Sequence, residues 1–247
     1  MTRLLVVTGA SAGIGAATAR IAPEHGWQRV VVHYGRDRAG AEAVAADLTA
    51  QGAEAHVMQA DVADMAAVQD MFARIAALAP GPFDLVNNAG IVSPTGSLAD
   101  LTPERVRQVF EVNVFGAVEV ARQAVAVMRD WGQGGGIVNL SSAAARLGSA
   151  NQYIDYAATK GAIDTLTIGM ADELAAEGIR VNAIRPGLIE TEIHAKGGVP
   201  DRLEKIGHTP PMGRPGTARE CAEAILWLLS DRASYVTKSF VDVAGGR

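Results

Sequence analysis

Seven short apolar runs recur along the chain, separated by alanine-rich stretches of helical length, and this alternation constrains the fold more than any other feature. The runs are "LLVV" (4–7), "RVVVHY" (29–34), "AHVMQA" (55–60), "FDLVNNA" (83–89), "GIVNLSS" (136–142), "IRVNAIRP" (179–186) and "SFVDVAGG" (239–246). Most are nearly continuous in apolar and β-branched residues, the pattern of parallel strands covered on both faces. Stretches such as "AGAEAVAADLTAQG" and "TARECAEAILWLLSDRA" carry helical spacing between them. Thr102 followed by Pro103 marks one helix start, and Gly52, Gly132 and Gly178 mark stops. Pro23 should end or kink the first helix early. The expected architecture is α/β: a single doubly wound domain over residues 1–247, with a seven-stranded parallel sheet and helices on both faces. The proline- and glycine-rich stretch 188–217 is the one long irregular segment, suited either to a lid over a ligand site or to an ordered surface loop.

With 247 residues, 49% of them hydrophobic, such a domain can bury its core without disulfides or metals. Cys221 is the single cysteine, and the five histidines lack ligand spacing, so a structural metal is not expected. A net charge of −5 without a basic block speaks against a nucleic-acid surface. The first apolar run is too short for a signal sequence or membrane span. A cytoplasmic protein with no membrane partner is the expectation.

Chemistry first shows in "TGASAGIG" (8–15), where Gly9, Gly13 and Gly15 fall between the first strand and the first helix. Glycines there let the backbone turn tightly and approach a pyrophosphate at a helix N-terminus. The spacing departs from the usual G-x-G-x-x-G, and glycine turns are common. Asp61 follows the third strand, where it could accept from an adenine amino group or merely cap a helix. "NNAG" (87–90) ends the fourth strand, at the edge where open parallel sheets bind ligands, although Asn87 could equally stabilise a turn.

"YIDYAATKG" (153–161) contains two tyrosines and one lysine. Residues four apart share a helical face, so Tyr156 and Lys160 can act together, whereas Tyr153 has Ala157 at that position. A phenol with an ordinary pKa of about 10 becomes a useful acid or base when a cation favours its phenolate. Ser142, at the end of the fifth strand, could hold a carbonyl oxygen, with Ser141 as the alternative. Taken alone, Y-x-x-x-K more often means a solvated lysine beside a half-buried tyrosine. Asn113 interrupts a long helical pattern, where asparagine usually signals a kink.

Together these motifs, with "VNVFG" around Asn113 and "RPGLIET", occur in the order and at the intervals of the classical short-chain dehydrogenases/reductases, and the chain resembles that family from about residue 4 to its end. The resemblance is to members like the bacterial 3-oxoacyl carrier-protein reductases and glucose dehydrogenases. It implies a Rossmann-type domain, Tyr156 as acid/base, and Lys160 as both the cation that lowers its pKa and a ribose ligand. Ser142 becomes the donor to the substrate oxygen, and Asn113 the holder of a relay water. By the same resemblance Gly9, Ser11, Gly13, Ile14 and Gly15 surround the cofactor's phosphates and ribose. Asp61 and Val62 meet the adenine, Asn88, Ala89 and Gly90 the adenosine-side ribose, and Pro186, Gly187, Ile189 and Thr191 the nicotinamide. It also implies a homotetramer built on the two long helices and on the last helix and strand.

The tip of the second strand reads "HYGRDR", with Tyr34 where an acid selecting NAD would stand and Arg36 and Arg38 beyond it. A guanidinium suits a 2′-phosphate, which favours NADP(H), with Arg36 the better candidate and NAD(H) the alternative. Asp37, between the arginines, and Ala12, where such relatives often carry a base, count against it. The expected activity is interconversion of a small carbonyl and a secondary alcohol by hydride transfer. An NAD(H)-dependent sugar or polyol dehydrogenase is the second reading, and a dinucleotide-binding redox sensor without turnover a third. The interval from Ser142 to Tyr156 is one residue longer than in many relatives, so Arg146, Asn151 and Gln152 could reshape a pocket.

Overall fold

A computed structural model of the chain describes residues 2–192 and 197–247. Its strands are β1 (Leu4–Val7), β2 (Arg29–Tyr34), β3 (Glu54–Gln59), β4 (Phe83–Asn87), β5 (Gly135–Leu140), β6 (Ile179–Pro186), β7 (Ile189–Glu190), β8 (Gly216–Thr217) and β9 (Phe240–Val243). The seven long runs pair in parallel in the order β3-β2-β1-β4-β5-β6-β9. β7 and β8, which the sequence pattern does not announce, form a separate two-stranded ribbon.

Alternate strand residues feed two cores. Leu5, Val7, Val30, Val32, Val86 and Val138 pack with α1 (Gly13–Ile21), α2 (Arg38–Ala50) and the last helix, Ala218–Leu229. Leu4, Val6, Val31, Leu85, Ile137 and Val181 face α3 (Met65–Ala76), α5 (Ala117–Trp131) and α7 (Ile154–Leu174), the last of which follows the short α6 (Ala144–Leu147). Apolar residues are needed on both faces because both are covered. α4 (Pro103–Phe110) begins where Thr102 accepts a hydrogen bond from the Arg105 amide, with Pro103 at the first helical position.

α1 does end early. It stops at Ile21 and passes into a 3₁₀ turn, Ala22–His25, closed by Gly26 at φ 98°. The expected kink at Asn113 takes the form of a π-helical segment, Glu111–Gly116, between α4 and α5.

Chain order reverses between β1 and β4, and the crevice at that switch point receives the glycine turn and the end of β4. β4 and β5 each stop two residues earlier than their apolar runs suggest. Asn88, Ala89, Ser141 and Ser142 therefore stand beyond the strand ends rather than within the ladder. The segment 188–217 carries the β7–β8 ribbon and a short helix, Arg202–Ile206, and residues 193–196 of the expected lid lie outside the described residues.

Candidate active site

Thr8 and Gly9 end β1 in a turn held from several sides. The Thr8 hydroxyl accepts the Asn88 and Ala89 amides at 2.9 and 3.0 Å, and the Asn88 side chain donates to the Thr8 and Gly9 carbonyls at 2.7 and 3.1 Å. Asn88 thus fastens β1 to β4 with its amide. Gly9 and Gly13 have φ of 65° and 56°, the left-handed region that glycine enters without strain. Gly15 acts differently: a Cβ there would lie 2.4 Å from the Gly9 carbonyl oxygen, so its smallness lets α1 pack on the turn. Ala12, at the N-cap of α1, gives no side-chain hydrogen bond to the first turn.

A cavity of about 270 Å³ opens over this turn. Gly9, Ser11, Gly13 and Ile14 line one side, and Asn88, Ala89 and Gly90 another. Pro186, Gly187, Ile189 and Thr191 close it, and Tyr156, Lys160 and Ser142 form its inner end. A second cavity of about 370 Å³ shares Ser142, Tyr156, Pro186 and Gly187 with the first and continues past Tyr153 to Gln152 and Arg202. The candidate acid/base group therefore stands on the wall between two adjoining spaces.

Gly15, Tyr34, Arg36, Asp61, Val62 and Asn113 lie outside both linings. The Asp61 carboxylate accepts the Ala63 amide at 3.0 Å, and Asp64 is the residue that caps α3. Val62 packs against Gly116, where an added Cβ would come within 2.6 Å of the Val62 carbonyl oxygen. Asn113, 1% exposed, stands behind Gly90: it accepts the Ile91 amide at 2.8 Å and donates to the Ile91 carbonyl at 2.9 Å and the Thr159 hydroxyl at 3.2 Å.

Burial pushes the Tyr156 phenol up to about 12, and its hydrogen bond with the Ser142 side chain draws it partly back. Burial pulls Lys160 down to about 8, opposed by the charge of Asp164. The Lys160 Nζ donates to the Leu140 carbonyl at 2.5 Å and lies 5.5 Å from the centre of the Tyr156 ring. The lysine thus lies over the ring face of the phenol rather than at its oxygen, and it is Ser142, not Lys160, that opposes the effect of burial on Tyr156.

Several contributors escaped sequence reasoning. Asp164, one turn beyond Lys160, accepts from Ser141 Oγ at 2.5 Å and from Arg185 Nη2 at 2.8 Å. Extending the four-residue step from Tyr156 through Lys160 would have reached it. His33, a lone polar residue near the end of a buried strand, accepts the Gly9 amide at Nδ1 (3.0 Å), and its Nε2 lies 3.0 Å from the Ala60 carbonyl. Thr8 is marked only by its place before Gly9. Among the described residues no helix is long and apolar enough to cross a membrane.

A family model described as Enoyl-(Acyl carrier protein) reductase matches residues 9–247. "Uncharacterized oxidoreductase YgfF" of Escherichia coli (strain K12) is 48% identical over 246 residues, covering 99% of each chain. L-rhamnose 1-dehydrogenase (NAD(P)(+)) of Azotobacter vinelandii (strain DJ / ATCC BAA-1303) is 38% identical over 249 residues, 99% of this chain and 96% of that one. The crystal structure of 3-ketoacyl-(acyl-carrier-protein) reductase from Brucella melitensis complexed with NADH superposes with a TM-score of 0.89 at 32% identity, covering 100% of this chain and 98% of the other. With this fold, this crevice and these relatives over its whole length, the chain belongs to the short-chain dehydrogenase/reductase family of oxidoreductases, which act on alcohol and carbonyl groups.

Proposed function

We propose that the chain interconverts a small carbonyl compound and a secondary alcohol by NADP(H)-linked hydride transfer, with Tyr156 handling the proton. The observation that carries this reading is the placing of Tyr156 and Ser142 together on the wall shared by two cavities, with Lys160 buried beside them. The glycine turn, with its uncapped helix start and its space over Gly9 and Gly13, fits a dinucleotide's pyrophosphate. Gly9, Gly13, Asn88 and Thr191 would hold a nicotinamide dinucleotide in the first cavity, and such a group would supply or accept the hydride there.

The chain's own groups manage the substrate oxygen from the second cavity. In reduction, the Ser142 hydroxyl donates to the carbonyl oxygen and Tyr156 delivers its proton as that oxygen gains charge. A phenol at about 12 holds this proton at neutral pH. In oxidation the proton returns to Tyr156, and the buried Lys160 ammonium favours the phenolate that must receive it. The stretch 188–217 acts as a lid, since Ile189 and Thr191 border the first cavity and Leu188 and Arg202 the second.

Preference for NADP(H) is supported at the end of β2. Asp37 is occupied as the cap of α2, accepting the Gly40 amide at 3.0 Å, and Arg38 pairs with Glu42 at 2.7 Å. Arg36 has no carboxylate partner among the described residues. The first turn of α2, just beyond Arg36, abuts the glycine loop, since a Cβ on Gly40 would fall 2.6 Å from the Ser11 carbonyl oxygen. A guanidinium there suits a 2′-phosphate. The NAD(H)-dependent sugar or polyol reading is favoured instead by the rhamnose dehydrogenase and by the NADH in the Brucella enzyme.

A panel of ketones, hydroxy compounds and sugars assayed with both cofactors separates the readings. Turnover with NADPH well above that with NADH is expected, and Tyr156→Phe should lose at least about 10²-fold in kcat while still binding cofactor. Full activity of Tyr156→Phe on a confirmed substrate would remove the acid/base assignment.

A further inference from the structure

The second cavity holds cationic groups that proton and hydride transfer do not use. Its lining includes Arg202 and Arg247 and neither aspartate nor glutamate. Arg202 is half-buried and held in one orientation: its Nη2 donates to Gln152 Oε1 at 2.6 Å, and its guanidinium lies 5.3 Å from the centre of the Tyr153 ring. The neighbouring acid is engaged elsewhere, since Asp201 pairs with Lys205. Among the described residues no carboxylate pairs with Arg202. Gln152 is itself anchored, its carbonyl accepting the Gly96 amide at 2.9 Å. Because its side-chain oxygen takes the Arg202 bond, its amide hydrogens stay available beside the guanidinium.

We propose that Arg202, with the Gln152 amide, recognises a carboxylate on the substrate, so that the reacting pair is a small oxo acid and the corresponding hydroxy acid. This rests on the carbonyl–alcohol reading above and adds the substrate's second functional group. A planar guanidinium with hydrogens to spare, placed over an aromatic ring and flanked by an amide donor, matches a two-oxygen acceptor. A cavity of about 370 Å³ fits a small molecule whose reacting carbon lies at Tyr156 and Ser142 and whose carboxylate lies beyond Tyr153. The redox balance is unchanged: the carbonyl carbon gains the hydride, its oxygen gains the Tyr156 proton, and the carboxylate keeps its charge throughout.

The test has a binding arm and a turnover arm, both on the full chain with NADP(H) present. Benzoate and benzamide, nearly equal in shape, are titrated calorimetrically. Benzoate should bind more tightly by on the order of tenfold, and Arg202→Leu should abolish that difference while Arg202→Lys keeps part of it. Inorganic phosphate competes weakly if the site is built for a carboxylate, and displacement of benzoate by phosphate at lower concentration would overturn that choice. In the turnover arm, oxo acids are compared with their methyl esters. Arg202→Leu should lower kcat/KM for the acids on the order of tenfold through KM and so erase their advantage. Equal binding of benzoate and benzamide, or an Arg202→Leu variant with undiminished acid preference, would overturn the proposal. Charge-selective binding through Arg202 without oxidation or reduction of any compound would instead overturn the redox reading and leave the carboxylate site standing.

Discussion

The His33 ring bridges two backbone groups, the Gly9 amide at the glycine turn and the Ala60 carbonyl at the end of β3. Since Nδ1 accepts, the proton must sit on Nε2, and the ring is neutral. Burial pulls its pKa down to about 4, against smaller upward pulls from the Ala60 carbonyl and the Asp61 charge. A histidine that titrates at about 4 when folded and near 6.5 when unfolded binds fewer protons in the native state between those values. Its contribution is therefore complete above about pH 6.5 and is lost as pH falls toward 4. Asp84, pushed up to about 6 by burial and drawn back by Arg3, Trp27 and the Gly136 amide, titrates in the same window with the opposite sign. Wild type is therefore best compared with His33→Gln, whose amide can make both bonds without titrating. Urea unfolding of the two should show the wild type losing about 3 kcal/mol relative to His33→Gln between pH 6.5 and 4. Parallel stability curves would show that the ring is not held neutral.

The π-helical segment at Glu111–Gly116 shows how an element turns a poor helix former into a support. Asn113 is disfavoured within a helix because its side chain competes for backbone groups, and here it binds backbone belonging to another element. Its amide satisfies both the N–H and the C=O of Ile91, beside the Gly90 wall of the cofactor cavity. Asn113→Ala should leave those part-buried groups without their partner, reducing stability by about 1–3 kcal/mol in denaturant titration and weakening cofactor binding in the same variant. Unchanged stability would mean that water replaces the amide. This element also marks how far the sequence could be read. The seven strands were legible because parallel strands buried on both faces are apolar along their length. Tyr156, Lys160 and Ser142 could be named from helical spacing, a strand end and the family resemblance taken together, and the fold places all three on one cavity wall. What escaped depended on long-range contacts: Asn88 fastening β1 to β4, Asp164 meeting Arg185, and Arg202 reaching Gln152 across 50 positions of sequence. The β7–β8 ribbon escaped too, because two-residue strands leave no periodicity to detect.

At the scale of the whole molecule, α7 serves two surfaces. Its inward residues include Tyr156, Lys160 and Asp164, all engaged with the site, and Ile163 and Ala171 in the core. Its outward positions include Ala158, Thr165, Ile168 and Gly169, which are exposed, and nothing lies within 4 Å of a Cβ built on Gly161 or Gly169. Phe115, Val118 and Ile168, at 54%, 40% and 39% exposure, leave large apolar side chains in water on the π segment, α5 and α7. We propose that these small and exposed apolar positions pack against another copy of the chain in a homotetramer. If this face is an interface, it also braces the helix that carries Tyr156 and Lys160, so assembly and activity should fall together. Ile168→Glu introduces a charge that a packed helix pair cannot hydrate. Light scattering coupled to size exclusion should show a tetramer for the wild type and a smaller species for Ile168→Glu, with kcat reduced while circular dichroism keeps its helical signal. A wild-type chain that elutes as a monomer would overturn both the interface and the bracing of α7.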